Sequence, residues 1–337
     1  MSMVHRLNKM RVVVTRRIPD SALQKLGDFE VVLHDSDYPP TREWLESSIR
    51  DADGVLCMLT DRFDSSLLEM AERLRVLSSM SVGLDHIDLA AATKRGIYVT
   101  YTPDVLTDAT ADLTWALLLA AARRISEADR FVRAGLWKVA WAPNLLLGSG
   151  VYGKTLGIIG MGRIGYAVAK RATGFDMRVL YYQRHRIPEE KERVVNARYV
   201  SIEELLSESD YVTIHLPLTD QTKGFINEEK IRLMKSTAYL INTSRGAIVD
   251  EAALVKALKE GWISGAALDV YEKEPLPENS PLLKLDNLVL TPHIGSATKE
   301  TRNRMAELAA ENLKAVLSGK LPRYLANEDV LRVRPLA

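Results

Sequence analysis

Residues 157–170 read GIIGMGRIGYAVAK. Gly160, Gly162 and Gly165 stand in the spacing G-x-G-x-x-G, after the apolar run TLGIIG (155–160) and before a helical pattern. That context is what a dinucleotide-binding turn requires. The first glycine makes the tight turn, the second lets backbone approach a pyrophosphate, and the third lets the helix pack close to the sheet. A helix starting near Arg163 would direct its N–H groups and positive dipole end at the phosphates.

Working outward, the run at 155–160 opens a series. MRVLYY (177–182), DYVTIHL (210–216), AYLINTS (238–244), ISGAALDV (263–270) and NLVLTP (287–292) follow, with helical patterns between them. Six such strands predict a doubly wound nucleotide fold. Nearer the N-terminus lies a second series: RVVVT (11–15), FEVVLH (29–34), GVLCML (54–59), RVLSSM (75–80) and IYVT (97–100). Short apolar runs separated by helices imply a parallel sheet covered on both faces. Between the two series a long helix is predicted from Thr107, a plausible N-cap, and a second helix to Gly135. A final helix, 298–318, follows the last nucleotide strand and is assigned back to the first domain. The expected fold is α/β, with two doubly wound parallel-sheet domains. A Rossmann nucleotide-binding domain (105–294) is inserted in a flavodoxin-like substrate domain (1–104 plus 295–337). Crossings near 103–107 and 291–297 would form a hinge over a cleft.

Composition fits two domains. The chain has 337 residues, 47% of them hydrophobic, enough for two buried cores. A net charge of +1 points neither to nucleic acid nor to a membrane surface. The longest apolar run, Trp115 to Ala122, is far short of a membrane span, and the N-terminus lacks the apolar core of a signal peptide. Cys57 is the one cysteine, so no intrachain disulfide forms, which suits a reducing cytoplasm. No metal site is expected.

In NAD-binding proteins a carboxylate about 20 residues after the glycine turn accepts the ribose 2′-OH. Here Gln183 falls in that place, followed by Arg184 and Arg186. A carboxylate would repel a 2′-phosphate, whereas a guanidinium binds it through parallel charge-assisted hydrogen bonds. The expected cofactor is NADP(H). The alternative is that both arginines are solvated loop charges and NAD(H) binds.

Ligands of this fold bind beyond the carboxyl ends of the strands. Three candidates arrive there: Arg245 in NTSRGAIVD, Glu274 in LDVYEKEP and His293 in TPHIGSAT. They match what hydride transfer to a 2-keto acid needs, a cation for the carboxylate and carbonyl and an acid for the developing alkoxide. A carboxylate beside His293 favours the charged imidazole. His5 and His34 lie outside the nucleotide domain, His185 sits by the arginines, and His215 is expected to pack or line the cofactor.

With these residues in place, the sequence resembles the D-2-hydroxyacid dehydrogenase family, and within it the glyoxylate/hydroxypyruvate reductases. The carriers are SMSVGLDHID, YTPDVLTDATADL, GIIGMGRIG, INTSRGAIVD, AALDVYEKEP and LTPHIGSAT, in order along essentially the whole chain. The resemblance implies that Arg245, Glu274 and His293 are catalytic. It implies cofactor contacts at Thr107, Arg163, Ile164, Leu216, Pro217, Thr243, Ser244, Asp269, His293 and Gly295, with Asp269 on the nicotinamide amide. It implies substrate contacts at Leu59, Val82, Gly83, Arg245 and Ser296, with backbone N–H groups of Val82 and Gly83 on the substrate carboxylate. The chain departs from many members at Ser79 to His86, where they have Asn-Tyr-Ala-Val-Gly-Tyr-Asp-Asn, and at Tyr101 and Asp104, where they have Asn and Gly.

The implied reaction is reduction of glyoxylate or hydroxypyruvate. Within the family the alternative is a phosphoglycerate or D-lactate type of dehydrogenase. Outside enzymes it is a nucleotide-sensing corepressor, which would tolerate loss of the triad and favour long tails. The resemblance also implies a homodimer, and LTWALLLAAARR is apolar on nearly all sides. Trp141, in KVAWAPNLLLGSG, is read either as a selector of small substrates at the partner's site or as a seal of the dimer interface.

Overall fold

The computed structural model describes residues 9–336, so His5 and the signal-peptide question lie outside the described residues. The chain divides into two compact units. One comprises the chain up to Leu106 and again from Thr298; the other comprises Thr107–Ala297.

The first unit begins with β1 (Arg11–Val14), α1 (Asp20–Lys25), β2 (Glu30–Leu33), α2 (Arg42–Ile49), β3 (Gly54–Cys57), α3 (Ser65–Glu69), β4 (Val76–Ser79), α4 (Leu89–Lys94) and β5 (Tyr98–Thr100). Side-chain oxygens of Thr41, Asp64 and Asp88 accept backbone N–H groups at the starts of α2, α3 and α4, the role these residue types fill best. The strands are all parallel, in the order β2-β1-β3-β4-β5. This is the flavodoxin-like order.

The second unit carries α5 (Thr107–Ala122), α6 (Ile125–Arg133), β6 (Thr155–Ile159), α7 (Arg163–Ala172), β7 (Arg178–Tyr182), α8 (Glu189–Val194), β8 (Ala197–Tyr199), α9 (Ile202–Glu208), β9 (Tyr211–Ile214), α10 (Glu228–Arg232), β10 (Tyr239–Asn242), α11 (Glu251–Glu260), β11 (Gly265–Leu268) and β12 (Leu288–Leu290). The first unit then resumes with α12 (Lys299–Leu317), capped by Thr298, and α13 (Val330–Val333). The second sheet is also parallel, in the order β12-β11-β10-β9-β6-β7-β8. Its two faces bury separate cores. Ile159, Leu240 and Leu268 pack on one side with Leu205, Ile231 and Leu254; Ile158 and Ile241 pack on the other with Trp115, Leu118 and Val168.

The sequence predicts six strands here and the structure has seven. The addition, β8, is three residues long at the sheet edge and carries no apolar run. Because every strand is parallel, all carboxyl ends lie on one edge of the sheet. The order reverses between β6 and β9, the switch point where such sheets hold ligands. Among the described residues no helix is long and apolar enough to cross a membrane.

Candidate active site

At the switch point the three glycines do three different things. Gly160 has φ +98°, and a Cβ there would stand 2.6 Å from the carbonyl oxygen of His215. At Gly165 a Cβ would stand 2.1 Å from the carbonyl oxygen of Gly160, so only glycine lets α7 lie this close to the turn. At Gly162 a Cβ would meet nothing within 4 Å. Gly162 also precedes α7 without offering a side-chain cap, which leaves open space in front of a ten-residue helix at Arg163 and Ile164. This arrangement suits a phosphate group. Leu216 and Pro217 follow β9 beside it, with a Leu216 methyl 3.1 Å from the Gly160 Cβ position.

Gln183 ties the next loop to this turn. Its Oε1 accepts from Met161 N at 2.9 Å, its Nε2 donates to the His185 carbonyl at 2.5 Å, and its own carbonyl accepts from the Tyr199 hydroxyl at 2.9 Å. The place a carboxylate would take is therefore filled by a side-chain amide fixed at two points, on a residue whose backbone is fixed at a third. Arg184 is exposed beyond it, and Arg186 pairs with Glu192 at 2.6 Å.

Arg245, Glu274 and His293 all come from loops after β10, β11 and β12, on the same edge. His293 Nδ1 meets Glu274 Oε2 at 2.7 Å, and Glu274 Oε1 accepts from Tyr271 N at 3.0 Å. Burial works to raise the Glu274 carboxyl, but the hydrogen bond and charge of His293, the Tyr271 N–H and nearby Arg245 outweigh it and hold the group below the usual carboxylate range. An ionised carboxylate only accepts, so Nδ1 carries a proton and Nε2 is left for a substrate.

Two side chains shape the loops that carry these groups. Asn242, fully buried, donates to the Arg245 carbonyl at 2.9 Å and accepts from Ser244 N and Oγ at 3.0 and 2.8 Å. Thr243 is buried against Thr114, hydroxyl to hydroxyl at 2.9 Å. Asp269 does the same for the other loop. His293 has φ +54°, a left-handed backbone uncommon outside glycine. Asp269 fixes that turn: Oδ1 accepts from Thr291 Oγ1 at 2.6 Å and Ile294 N at 2.8 Å, and Oδ2 from Gly295 N at 2.8 Å. Burial raises the Asp269 carboxyl against these bonds. Neither clamp is evident from the sequence, which marks Asp269 only for the cofactor amide.

The remaining candidates are placed as follows. His215 is pushed down to about 3 by burial, and its Nε2 has no hydrogen-bond partner among the described residues. It is uncharged at neutral pH and unsuited to act as an acid. Thr107 opens α5, and Ser296 follows Gly295 at the end of the His293 turn. Leu59, Val82 and Gly83 belong to the other unit, after β3 and β4 at the carboxyl edge of its own sheet. There the residues that depart from many family members join in one chain. Ser81 Oγ donates to the Gly83 carbonyl at 2.7 Å, so Ser79 donates in the 2.7 Å Ser79–Ser81 bond, and His86 Nε2 donates to Ser79 at 3.1 Å. Trp141 is 78% exposed in the connection between α6 and β6.

The chain is similar to known proteins along most of its length. A family model described as D-isomer specific 2-hydroxyacid dehydrogenase, NAD binding domain, matches residues 115–295. The glyoxylate reductase of Korarchaeum cryptofilum is 55% identical over 328 residues, covering 97% of this chain and 98% of that protein. The crystal structure of the TT0316 protein of Thermus thermophilus superposes with a TM-score of 0.88 at 50% identity, covering 94% of this chain and 100% of that one. That of an NADPH-dependent glyoxylate/hydroxypyruvate reductase from Sinorhizobium meliloti, in complex with NADP and malonate, gives 0.83 at 32% identity, covering 95% and 98%. The chain is an NAD(P)-dependent oxidoreductase and belongs to the D-isomer specific 2-hydroxyacid dehydrogenase family.

Proposed function

We propose that the protein reduces glyoxylate and hydroxypyruvate to glycolate and D-glycerate, with NADPH as the preferred reductant and NADH as a second one. The observation that carries this is the meeting, on one sheet edge, of the glycine turn with the Arg245, Glu274 and His293 loops and the 2.7 Å His293–Glu274 bond. The cofactor is assigned to the unit of residues 107–297, and substrate contacts are assigned to Leu59, Val82 and Gly83. Arg245 binds the substrate carboxylate and polarises the keto oxygen. The bound cofactor supplies the hydride. His293 Nε2–H gives its proton to the keto oxygen as negative charge develops there, and Glu274 stabilises the imidazolium before that transfer. The test is oxidation of NADPH and NADH with a panel of 2-keto acids. Activity confined to a phosphorylated or larger keto acid would assign the chain to another branch of the family.

The cofactor preference rests on Gln183, Arg184 and Arg186 standing where a carboxylate would bind a 2′-OH. Arg184→Ala raises the KM for NADPH by about tenfold or more, the contribution of a hydrogen bond between charged groups, and leaves NADH nearly unchanged. The effect shrinks with added salt, since exposed charges are screened. A lower wild-type KM for NADH than for NADPH rejects the preference.

A homodimer in the cytoplasm completes the reading. No residue of α6 is buried, and Ile125, Val132, Leu136, Trp137, Val139, Trp141, Leu147 and Tyr152 are each more than half exposed. So much apolar surface in one stretch marks an interaction surface. Light scattering at micromolar concentration gives a dimer mass, and a monomer mass rejects it. Trp141→Ala separates its two roles. If the ring restricts the partner's substrate site, kcat/KM for phenylpyruvate rises relative to glyoxylate; if it only seals the interface, all substrates fall together and the dimer loosens.

A further inference from the structure

The sequence presents two arginines after β7 as equivalent. The structure does not. Arg186 donates from Nε to Glu192 Oε1 at 2.8 Å and from Nη2 to Glu192 Oε2 at 2.6 Å, a bidentate pair. Glu192 projects from α8 and is only 4% exposed. It also accepts from the Tyr181 hydroxyl at 2.5 Å, and that hydroxyl in turn accepts from Ile187 N at 3.1 Å. The Arg186 hydrogen bonds, working against burial, hold the Glu192 carboxyl below the usual range, so the pair is ionised at neutral pH. Arg184, two residues away, is exposed and makes no ion pair or side-chain hydrogen bond with any described residue. Its backbone is steadied by Gln183, whose side chain reaches both Met161 and His185.

We propose that Glu192 is a positioning residue that sets cofactor selectivity. By taking the charge and two donors of Arg186, it leaves Arg184 as the guanidinium that reads the 2′-phosphate. A guanidinium already paired with a carboxylate offers an incoming phosphate little net charge, and the carboxylate itself repels it. Arg186 thus organises the loop, and the preference for the phosphorylated cofactor stays moderate. This deepens the NADPH reading above and rests on it.

Calorimetric binding of NADP⁺ and NAD⁺ to the wild type and to Glu192→Gln tests it. Glutamine keeps the shape and an acceptor for Tyr181 but removes the charge that holds Arg186. The expected result is NADP⁺ binding tightened about tenfold, near the low end for a charge-assisted hydrogen bond, with NAD⁺ within twofold of wild type. A merely structural role would weaken both cofactors. Unchanged or weakened NADP⁺ binding in the variant overturns the proposal, because Glu192 would then be aiming Arg186 at the phosphate. Tighter binding of NAD⁺ than NADP⁺ by the wild type overturns the cofactor reading itself, and this proposal with it. The wild type gives a second test that needs no variant. On titration with NADP⁺, the Nε–H resonance of Arg184 shifts and that of Arg186 stays in place. An equal shift of both overturns the proposal.

Discussion

Replacing His293 with alanine lowers kcat for glyoxylate by about 10²–10⁴-fold, the range for loss of a positioned acid. The proton must come from a group that is oriented and lies on the loop edge. His293 meets these conditions through two different residues. Glu274 accepts from Nδ1 at 2.7 Å and so leaves Nε2 for the substrate. Asp269 holds the turn in which His293 adopts its left-handed backbone. Alanine removes the ring and also strains the turn. His293→Asn is therefore the cleaner variant, since asparagine tolerates that backbone better, and it shows the same fall in kcat. If the asparagine variant keeps wild-type kcat, His293 is not the acid. Glu274→Gln reports on the partner. Glutamine keeps the shape of the side chain but removes the charge that accepts from Nδ1 at 2.7 Å, so the donor loses its support and kcat for glyoxylate falls. An unchanged kcat in this variant removes Glu274 from proton transfer.

Much of this fold is legible in the sequence because its strands are buried on both faces. Runs such as Leu156 to Ile159 and Tyr211 to Ile214 are wholly buried, so they appear as short, mostly apolar segments that punctuation by Gly160 and His215 delimits. β8 escapes because an edge strand of Ala197, Arg198 and Tyr199 has little to bury. The triad is legible for a different reason. A parallel sheet sends every strand end to one edge, so chemistry-bearing residues after three strands must converge. The clamps are not legible. Asn242 and Asp269 work by accepting backbone N–H groups of turns whose conformation no periodicity encodes. Glu192 is one of five charged residues in Glu189 to Arg193, and nothing in that run distinguishes the one that is covered.

Arg245→Lys tests the substrate clamp, and we expect kcat/KM for glyoxylate to fall about 10²–10³-fold, as when a donor at a developing oxyanion is lost. The charge survives in this variant, so the loss measures geometry. A guanidinium presents two parallel N–H groups to a carboxylate; an ammonium is a point charge on a flexible stem. The structure orients this residue at both its side chain and its backbone. Its Nη1 donates to the Ser244 carbonyl at 2.8 Å, and its own carbonyl accepts from Asn242. The next residue fixes the loop from the other side. At Gly246 a Cβ would stand 1.9 Å from the Tyr271 carbonyl carbon, so the chain after Arg245 is pressed against the backbone three residues before Glu274. That contact couples the clamp loop to the loop that orients His293, and it leaves no slack for a lysine to find a new approach. Binding of NADP⁺ and the melting temperature should stay near wild type, which separates a lost clamp from a lost fold. In Arg245→Ala, added guanidinium ion should restore part of kcat/KM, and methylammonium should restore less. Equal activity of the lysine variant and the wild type would mean that Arg245 acts through charge alone, and the bidentate clamp would have to be abandoned.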